Sequence, residues 1–173
     1  MGTTSSTPSP SSSPTTATAT TTTSAPGPAP CVASGLKGSF LIVPGSAGAG
    51  HVEARVVLTN ISAAPCTTFG YVGLQLLGAS DTPLPTHVVR APGSEPHITL
   101  APGGSVSALA RFSPDIPGPG DSQSGACQPV AQGTEITPPN DTHFVVAPGL
   151  MSSVCSQGTM DLNPLQAGAT AGP

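Results

Sequence analysis

The composition of the chain changes abruptly at Cys31, and this change limits which part of it can fold. The first thirty residues contain ten Thr, seven Ser and six Pro, with no charged and no aromatic side chain. Such a segment cannot bury enough apolar surface to offset the entropy lost when its backbone is ordered. We therefore predict a disordered Ser/Thr/Pro-rich stalk over residues 1–30, a folded domain over 31–166 and a flexible tail over 167–173. The stalk fits an O-glycosylated spacer and an unmodified spacer equally well.

The part after Cys31 consists of short apolar runs separated by Pro and Gly turn signals, which is typical of antiparallel sheets rather than of helices. We predict an all-β fold, an immunoglobulin-like antiparallel β-sandwich with Greek-key connections and about seven to nine strands. The clearest alternation sets Val52, Ala54, Val56 and Leu58 on one face and His51, Glu53, Arg55 and Val57 on the other. The predicted strands are residues 36–43, 50–60, 71–77, 86–91, 98–100, 105–112, 132–137, 142–146 and 159–165.

Three of these segments carry more specific predictions. Residues 71–77 are the most continuously apolar, which predicts a central strand buried on both sides. Gly73 inside this run indicates a β-bulge or a close backbone approach. Residues 86–91 predict a short edge strand. Residues 113–125 combine Pro and Gly without any periodicity, and we expect an irregular excursion on the surface.

The four cysteines, Cys31, Cys66, Cys127 and Cys155, are spaced for disulfides rather than for a metal. No C-x-x-C occurs, and no His stands at the short spacing from a Cys that structural zinc sites use. Four cysteines allow three pairings. We favour Cys31–Cys66 with Cys127–Cys155, because each bridge then closes a loop of moderate length, contributing roughly 3 to 4 kcal/mol in the chain-entropy treatment. Persistent disulfides indicate an oxidising compartment.

The charge and aromatic content argue against several classes of partner. The chain has 4 Lys and Arg, 8 Asp and Glu, a net charge of −4 and no Trp. It therefore offers neither a basic stripe nor a set of stacking aromatic rings, and we expect no nucleic-acid partner. No apolar run reaches the length of a membrane span. The N-terminus lacks the features of a signal peptide, and we expect the native start to lie upstream of Met1.

Candidate catalytic and metal-binding residues are scattered. His51, His87, His97 and His143 fall on different predicted segments, which indicates surface histidines rather than metal ligands. A copper site of the cupredoxin type would need a His between the last Cys and the following Met, and residues 155–160 contain none. A serine hydrolase would need a G-x-S-x-G elbow, which is also missing. We predict no cofactor and no catalytic residue.

Two acids and two glycine pairs in loops are interpreted as ordinary loop chemistry. Asp115 and Asp121 lie close together in sequence, but no third oxygen ligand follows at regular spacing, so we expect solvated loop acids. Gly48–Gly50 and Gly103–Gly104 lack the residues and the helix that phosphate cradles require, and they are predicted to be turns.

Asn60 and Tyr71 are predicted to have structural roles. Asn60-Ile61-Ser62 and Asn140-Asp141-Thr142 match the N-glycosylation pattern, which matters only in a eukaryotic secretory pathway and otherwise marks turn asparagines. Tyr71 is the single Tyr of the chain. We interpret it as a corner residue whose hydroxyl fixes the backbone.

One further set of motifs runs through the folded part: Gly50-His51, Val57 to Ser62, Cys66, Gly70 to Leu77, Leu100 to Ser105, Cys127 and Cys155. On these motifs the chain resembles a family of actinobacterial envelope proteins, catalogued as domain of unknown function 4232, over about Cys31 to Leu165. The resemblance implies a sandwich with two disulfides and a secreted or lipidated origin, with a lipid-bearing cysteine before Met1. It brings no catalytic residue.

Together these observations favour a non-catalytic, monomeric domain outside the cytoplasm, anchored in the cell envelope or secreted. We expect it to bind an envelope protein or polysaccharide through exposed strand edges and loops. One alternative is a structural spacer or accessory module without a ligand. Another is an uncharacterised hydrolase or metal-dependent activity built from the scattered His and Asp residues.

Overall fold

A computed structural model of the chain describes residues 1–4 and 27–170. Residues 5–26 of the predicted stalk and 171–173 of the predicted tail lie outside the described residues. Within the described part no helix is long and apolar enough to cross a membrane. The strands are β1 (Leu36–Ile42), β2 (Val52–Asn60), β3 (Cys66–Thr68), β4 (Gly73–Leu77), β5 (His87–Arg90), β6 (Ile98–Leu100), β7 (Ser105–Phe112), β8 (Ala131–Thr137), β9 (Val145–Ser152), β10 (Thr159–Leu162) and β11 (Gln166–Ala167). Single helical turns occur at Ala33–Gly35, Ala79–Asp81 and Cys155–Gly158.

These strands form three sheets, which confirms the predicted all-β, sandwich-like class. The large sheet has the order β1-β2-β7-β10-β5, with β11 beside β7. The small sheet has the order β4-β8-β9, and β3 pairs with β6 in a two-stranded sheet. Nearly all pairs are antiparallel, as predicted, but β5 runs parallel to β10. Immunoglobulin-like topology and Greek-key connections remain predictions.

Alternating side chains place the core between the sheets. On β2 the predicted inner residues Ala54, Val56 and Leu58 are buried, and they lie opposite alanine and valine positions of β7. The small sheet contributes Leu76 and Ile136 to the same cluster. Further large side chains of this core include Phe40, Val106, Phe112, Met160, Leu162 and Leu165.

Both disulfides have the predicted pairing: Cys31 bonds to Cys66 and Cys127 bonds to Cys155. The first attaches the beginning of the domain to β3. Next to it, the backbone N–H of Thr67 donates to the carbonyl of Ala29 at 2.9 Å, so chain pairing begins just before the first cysteine.

The prediction for residues 71–77 is wrong in one respect, because β4 is an edge strand and not a central one. Its free side is covered by the chain segment that leads to β5. The N–H of Leu84 donates to the carbonyl of Leu76 at 2.9 Å, and the N–H of Leu76 donates to Thr86 Oγ1 at 3.0 Å. The apolar run is therefore buried by an irregular segment, which periodicity does not distinguish from a strand. Gly73 pairs regularly with Thr137, without a bulge.

The prediction for residues 142–146 places the strand too early. β9 starts at Val145 and continues through Pro148 and Gly149, where its register with β8 shifts. Pro148 is accommodated because β9 is an edge strand. Gly149 is required because a Cβ there would lie 2.2 Å from the carbonyl carbon of Gln132. The short strands β3 and β11 are absent from the prediction.

Candidate functional site

A cleft of about 410 Å³ opens on the solvent face of the large sheet, where β10 and β5 end the sheet. Its apolar lining includes Leu109, which is only 7% exposed, and Val89, which is 39% exposed. The remaining lining residues are Glu53, Arg90, Ala91, Pro92, Arg111, Asp161 and Asn163. The cleft thus combines apolar side chains with a charged rim.

The strand registers place three charges in one row across this face. Glu53 of β2 lies directly opposite Arg111 of β7, and Arg111 lies directly opposite Asp161 of β10. Directly opposed Cβ atoms are about 5 Å apart, so the row alternates negative, positive and negative. All three side chains point outward because a chain neighbour of each is fully buried in the core.

The charged groups of this row, which all lie in the described part of the chain, form no ion pair with one another. In residues 27–170 the guanidinium of Arg111 makes no hydrogen bond and no ion pair, although a carboxylate stands on each neighbouring strand. Arg111 and Asp161 are exposed and Glu53 is half-buried. Their donors and acceptors are therefore available to a molecule in the cleft.

Tyr71 fixes the far wall of the cleft. Its hydroxyl donates to the carbonyl of Ala91 at 2.7 Å, and its ring lies 5.2 Å from the guanidinium carbon of Arg90. A guanidinium at this distance from an aromatic ring is attracted to it. The residue singled out in the sequence as a corner therefore holds the end of β5, where Arg90 and Ala91 line the cleft.

Asp121 is a buried hydrogen-bond acceptor, so the prediction of a solvated loop acid is wrong for it. It is 9% exposed. One carboxylate oxygen accepts from Gln128 Nε2 at 2.6 Å and from the N–H of Gln157 at 2.9 Å. The other accepts from the N–H of Gly118 at 2.8 Å and from the N–H of Ser156. Asp115 is exposed, as predicted.

The pKa of Asp121 reflects these contacts. Burial acts to raise the pKa, but the hydrogen bonds from Gln128, Gln157, Gly118 and Ser156 outweigh it and hold the pKa well below its usual range. The carboxylate is therefore ionised in the folded protein at neutral pH. The sequence could not show this, because two of the donors, the N–H groups of Ser156 and Gln157, belong to a turn more than thirty residues away.

That turn, residues 155–158, is left-handed. The φ angles are +54° at Ser156, +57° at Gln157 and +75° at Gly158. A left-handed conformation costs a non-glycine residue roughly 1–2 kcal/mol. Successive N–H groups in such a turn point to one side and attract an anion, which here is the carboxylate of Asp121. The disulfide at Cys155 and this carboxylate together hold the turn.

A second carboxylate, that of Asp141, accepts backbone N–H groups near the other disulfide, at Cys31. It accepts from the N–H of Ala33 at 2.7 Å and from the N–H groups of Thr142 and His143 at 2.7 and 3.0 Å. The bond from Ala33 is the main cause of a pKa well below the usual range, followed by the bond from the His143 N–H. Asp141 also lines a cleft of about 600 Å³ with Val32, Ala33, Ser34, His143 and Phe144.

The four histidines are not brought together. His51 contacts the carbonyl of Ala49, and His97 packs on Phe69 with ring centroids 4.4 Å apart. His143 lies beside Asp141, and His87 begins β5. Within the described residues, only one group of three His, Cys, Asp or Glu side chains has its ligand atoms within 4.8 Å of one another. The group is Asp121, Cys127 and Cys155, and its two sulfur atoms are bonded to each other in a disulfide.

The two asparagines of the glycosylation patterns differ in access. Asn60 is fully buried, and its Nδ2 donates to the carbonyls of Ala64 and Leu100 at 2.9 and 3.1 Å. Its Oδ1 accepts from the N–H of Ser62 at 3.0 Å. Asn60 thus ties three backbone segments together, whereas Asn140 is exposed in a turn. The glycine pairs Gly48–Gly50 and Gly103–Gly104 also lie in turns.

The charged row is the functional feature that reasoning from the sequence missed. The alternation of β2 places Glu53 on its outer face, and Arg111 and Asp161 each interrupt an apolar strand in the same way. Because the chain has few charged residues, those at outward strand positions could have been noted from the sequence as candidate binding residues. The strand order β2-β7-β10 is what brings these three residues next to one another.

Comparison with known proteins gives one match. A family model described as Domain of unknown function (DUF4232) matches residues 31–166. No curated protein and no solved structure matches the chain.

Proposed function

The chain belongs to the DUF4232 family, and we propose that its domain is a non-catalytic module outside the cytoplasm that binds a hydroxyl-rich polymer of the cell envelope in the charged cleft. We further propose that the domain is immunoglobulin-like, monomeric, and either secreted or lipid-anchored in an actinobacterial envelope. Both disulfides fit an oxidising compartment.

The observation that carries the proposal is the concentration of charge in one cleft. The whole chain has 4 Lys and Arg and 8 Asp and Glu. Four of these twelve residues line the cleft, namely Glu53, Arg90, Arg111 and Asp161. In a protein that solvates its surface mainly with uncharged groups, this convergence marks the cleft as the place for specific polar contacts.

The chemistry of the lining favours neutral polyhydroxylated ligands. Carboxylates, a guanidinium and the amide of Asn163 are planar groups that can bond two neighbouring hydroxyls at once. The two acids and two arginines cancel in charge, so a strongly anionic or cationic ligand gains little. Leu109, Val89 and Pro92 supply apolar contacts for the C–H faces of a sugar ring.

The same lining supports binding rather than catalysis. The cleft residues include no His, Cys, Ser or Thr that would serve as nucleophile or imidazole base. Asp161 is exposed at the rim and Glu53 is half-buried. Solvent therefore reaches both carboxylates.

The test is a titration of the purified domain, disulfides intact, with soluble neutral polysaccharides and, separately, with anionic ones. We expect a neutral polymer to bind, and Arg111→Ala and Asp161→Asn to weaken binding by roughly tenfold to a hundredfold, the effect of losing hydrogen bonds to a charged group. Lys37→Ala is the matched control, since Lys37 is an exposed charge on β1 outside the cleft. Absence of binding to any polymer, or equal loss in the control, would favour a structural spacer and overturn the proposal.

A further inference from the structure

We infer that Asp121 is a positioning residue of the charged cleft, because its carboxylate fixes the turn 155–158 on which the strands forming one wall of the cleft depend. The inference rests on the proposed function, since it names what holds that same site in place. Asp121 itself does not line the cleft.

The first step is the contact between Asp121 and the turn. Its two carboxylate oxygens accept the N–H groups of Ser156 and Gln157, which are adjacent residues in left-handed conformation. The side chain of Gln157 adds a bond to the carbonyl of Gly120 at 2.6 Å, next to Asp121 in the chain. The loop that carries Asp121 and the turn are thereby fastened together from both sides.

The turn is connected directly to β10. The N–H of Thr159 donates to the carbonyls of Cys155 and Ser156, so the turn passes directly into the first residue of β10. Asp161 follows two residues later at its outward position. A change in the turn therefore shifts the start of the strand that presents Asp161 to the cleft.

The turn also packs against the segment that leads into β5. Gly158 lies against the backbone of Pro85 and Thr86, where a Cβ would come within 1.9 Å of the carbonyl oxygen of Pro85. These residues immediately precede β5, which has four residues and, within residues 27–170, pairs with no strand other than β10. The turn consequently supports both strands of this wall, including Val89 and Arg90.

The matched control is Asp141, which is a similar acceptor of backbone N–H groups. It holds Ala33 and its own loop instead, and it contacts neither β5 nor β10 through its hydrogen bonds. Asp121→Asn and Asp141→Asn make the same chemical change in two carboxylates of the same kind. Only the first is expected to affect the cleft.

The experiment compares backbone amide hydrogen exchange by NMR in the full chain and in the two variants at neutral pH. We expect Asp121→Asn to accelerate exchange at residues 88–90 and 159–162 by roughly tenfold or more, while exchange in β2 stays within about twofold. Asp141→Asn is expected to leave β5 and β10 unchanged. Unchanged exchange at β5 in Asp121→Asn, or equal acceleration in all strands, would overturn the inference.

Two additions keep the test decisive. If Asp121→Asn does not fold, Gln128→Ala removes one bond to the same carboxylate and is expected to accelerate exchange at the same residues, in smaller measure. Neutral polysaccharide binding is expected to weaken in Asp121→Asn and to persist in Asp141→Asn. If the wild-type chain binds no polysaccharide, the proposed function fails, whereas the exchange comparison still decides the role of Asp121.

Discussion

Replacing Ser156 by glycine is expected to stabilise the domain, although glycine substitutions usually destabilise. Ser156 has φ +54° and ψ +48°, a conformation that costs a residue with a Cβ roughly 1–2 kcal/mol. Glycine adopts it freely but loses about 0.4–1 kcal/mol through the greater entropy of the unfolded chain. In residues 27–170 the Ser156 side chain makes no hydrogen bond, so what the replacement loses besides is the packing of that side chain against Gly118. The net expectation for Ser156→Gly is a gain of about 0–1.6 kcal/mol, with a centre of about 0.8 kcal/mol.

The assay is urea unfolding with both disulfides intact, followed by circular dichroism, with the midpoints converted to free energies of unfolding. Ser39→Gly is the control. Ser39 lies in the middle of β1 with ordinary extended backbone, so its replacement is expected to cost about 0.5–1 kcal/mol. A loss of stability in Ser156→Gly equal to that of the control would refute the left-handed turn, and with it the route from Asp121 to the cleft.

Three further results are expected from unfolding measurements. Thr134 is fully buried and its hydroxyl has no partner among the described residues, so Thr134→Val should raise the free energy of unfolding by about 1 kcal/mol; a decrease would indicate a hidden partner. The pKa values of Asp121 and Asp141 are lowered in the folded state, so the unfolded chain binds protons more readily. Their contribution to stability is therefore complete above the ordinary Asp pKa near 4 and is lost as the pH falls toward the lower pKa values of the folded state. Urea unfolding between about pH 6 and pH 2 should show a steady decrease in the free energy of unfolding. A free energy of unfolding that does not change over this range would contradict the expectation. Replacing Cys127 and Cys155 together by serine opens a loop with a sequence separation of 28 and should cost about 3.6 kcal/mol by loop entropy; a loss well under 1 kcal/mol would contradict the loop-entropy account.

The features predicted correctly from the sequence are those that local pattern determines. The alternation of residues 50–60 gives β2 with its buried face, because a strand returns each side chain to the same face every second residue. The pairing of Cys31 with Cys66 and of Cys127 with Cys155 is the one of three possible pairings that moderate loop lengths favour, and the structure has it. Even the edge position of β5 agrees with its short, half-polar segment.

The features that the sequence does not reveal depend on contacts between distant segments. Asp121 resembles any loop acid until the N–H groups of Ser156 and Gln157 are placed against it. Likewise Glu53 and Asp161 are separated by more than one hundred residues and meet only because β7 lies between their strands. Strand order is set by the packing of the whole core, and no local signal encodes it.

Binding in the charged cleft is tested most directly by adding a neutral polysaccharide to the isotope-labelled chain and recording the changes in backbone and arginine side-chain NMR chemical shifts. Binding in the charged cleft predicts shifts concentrated at Val89, Arg111, Asp161 and Asn163, with the Arg111 guanidinium signal among the largest. Shifts confined to the cleft around Val32 and Phe144, or no shifts with any polymer, would contradict the central claim.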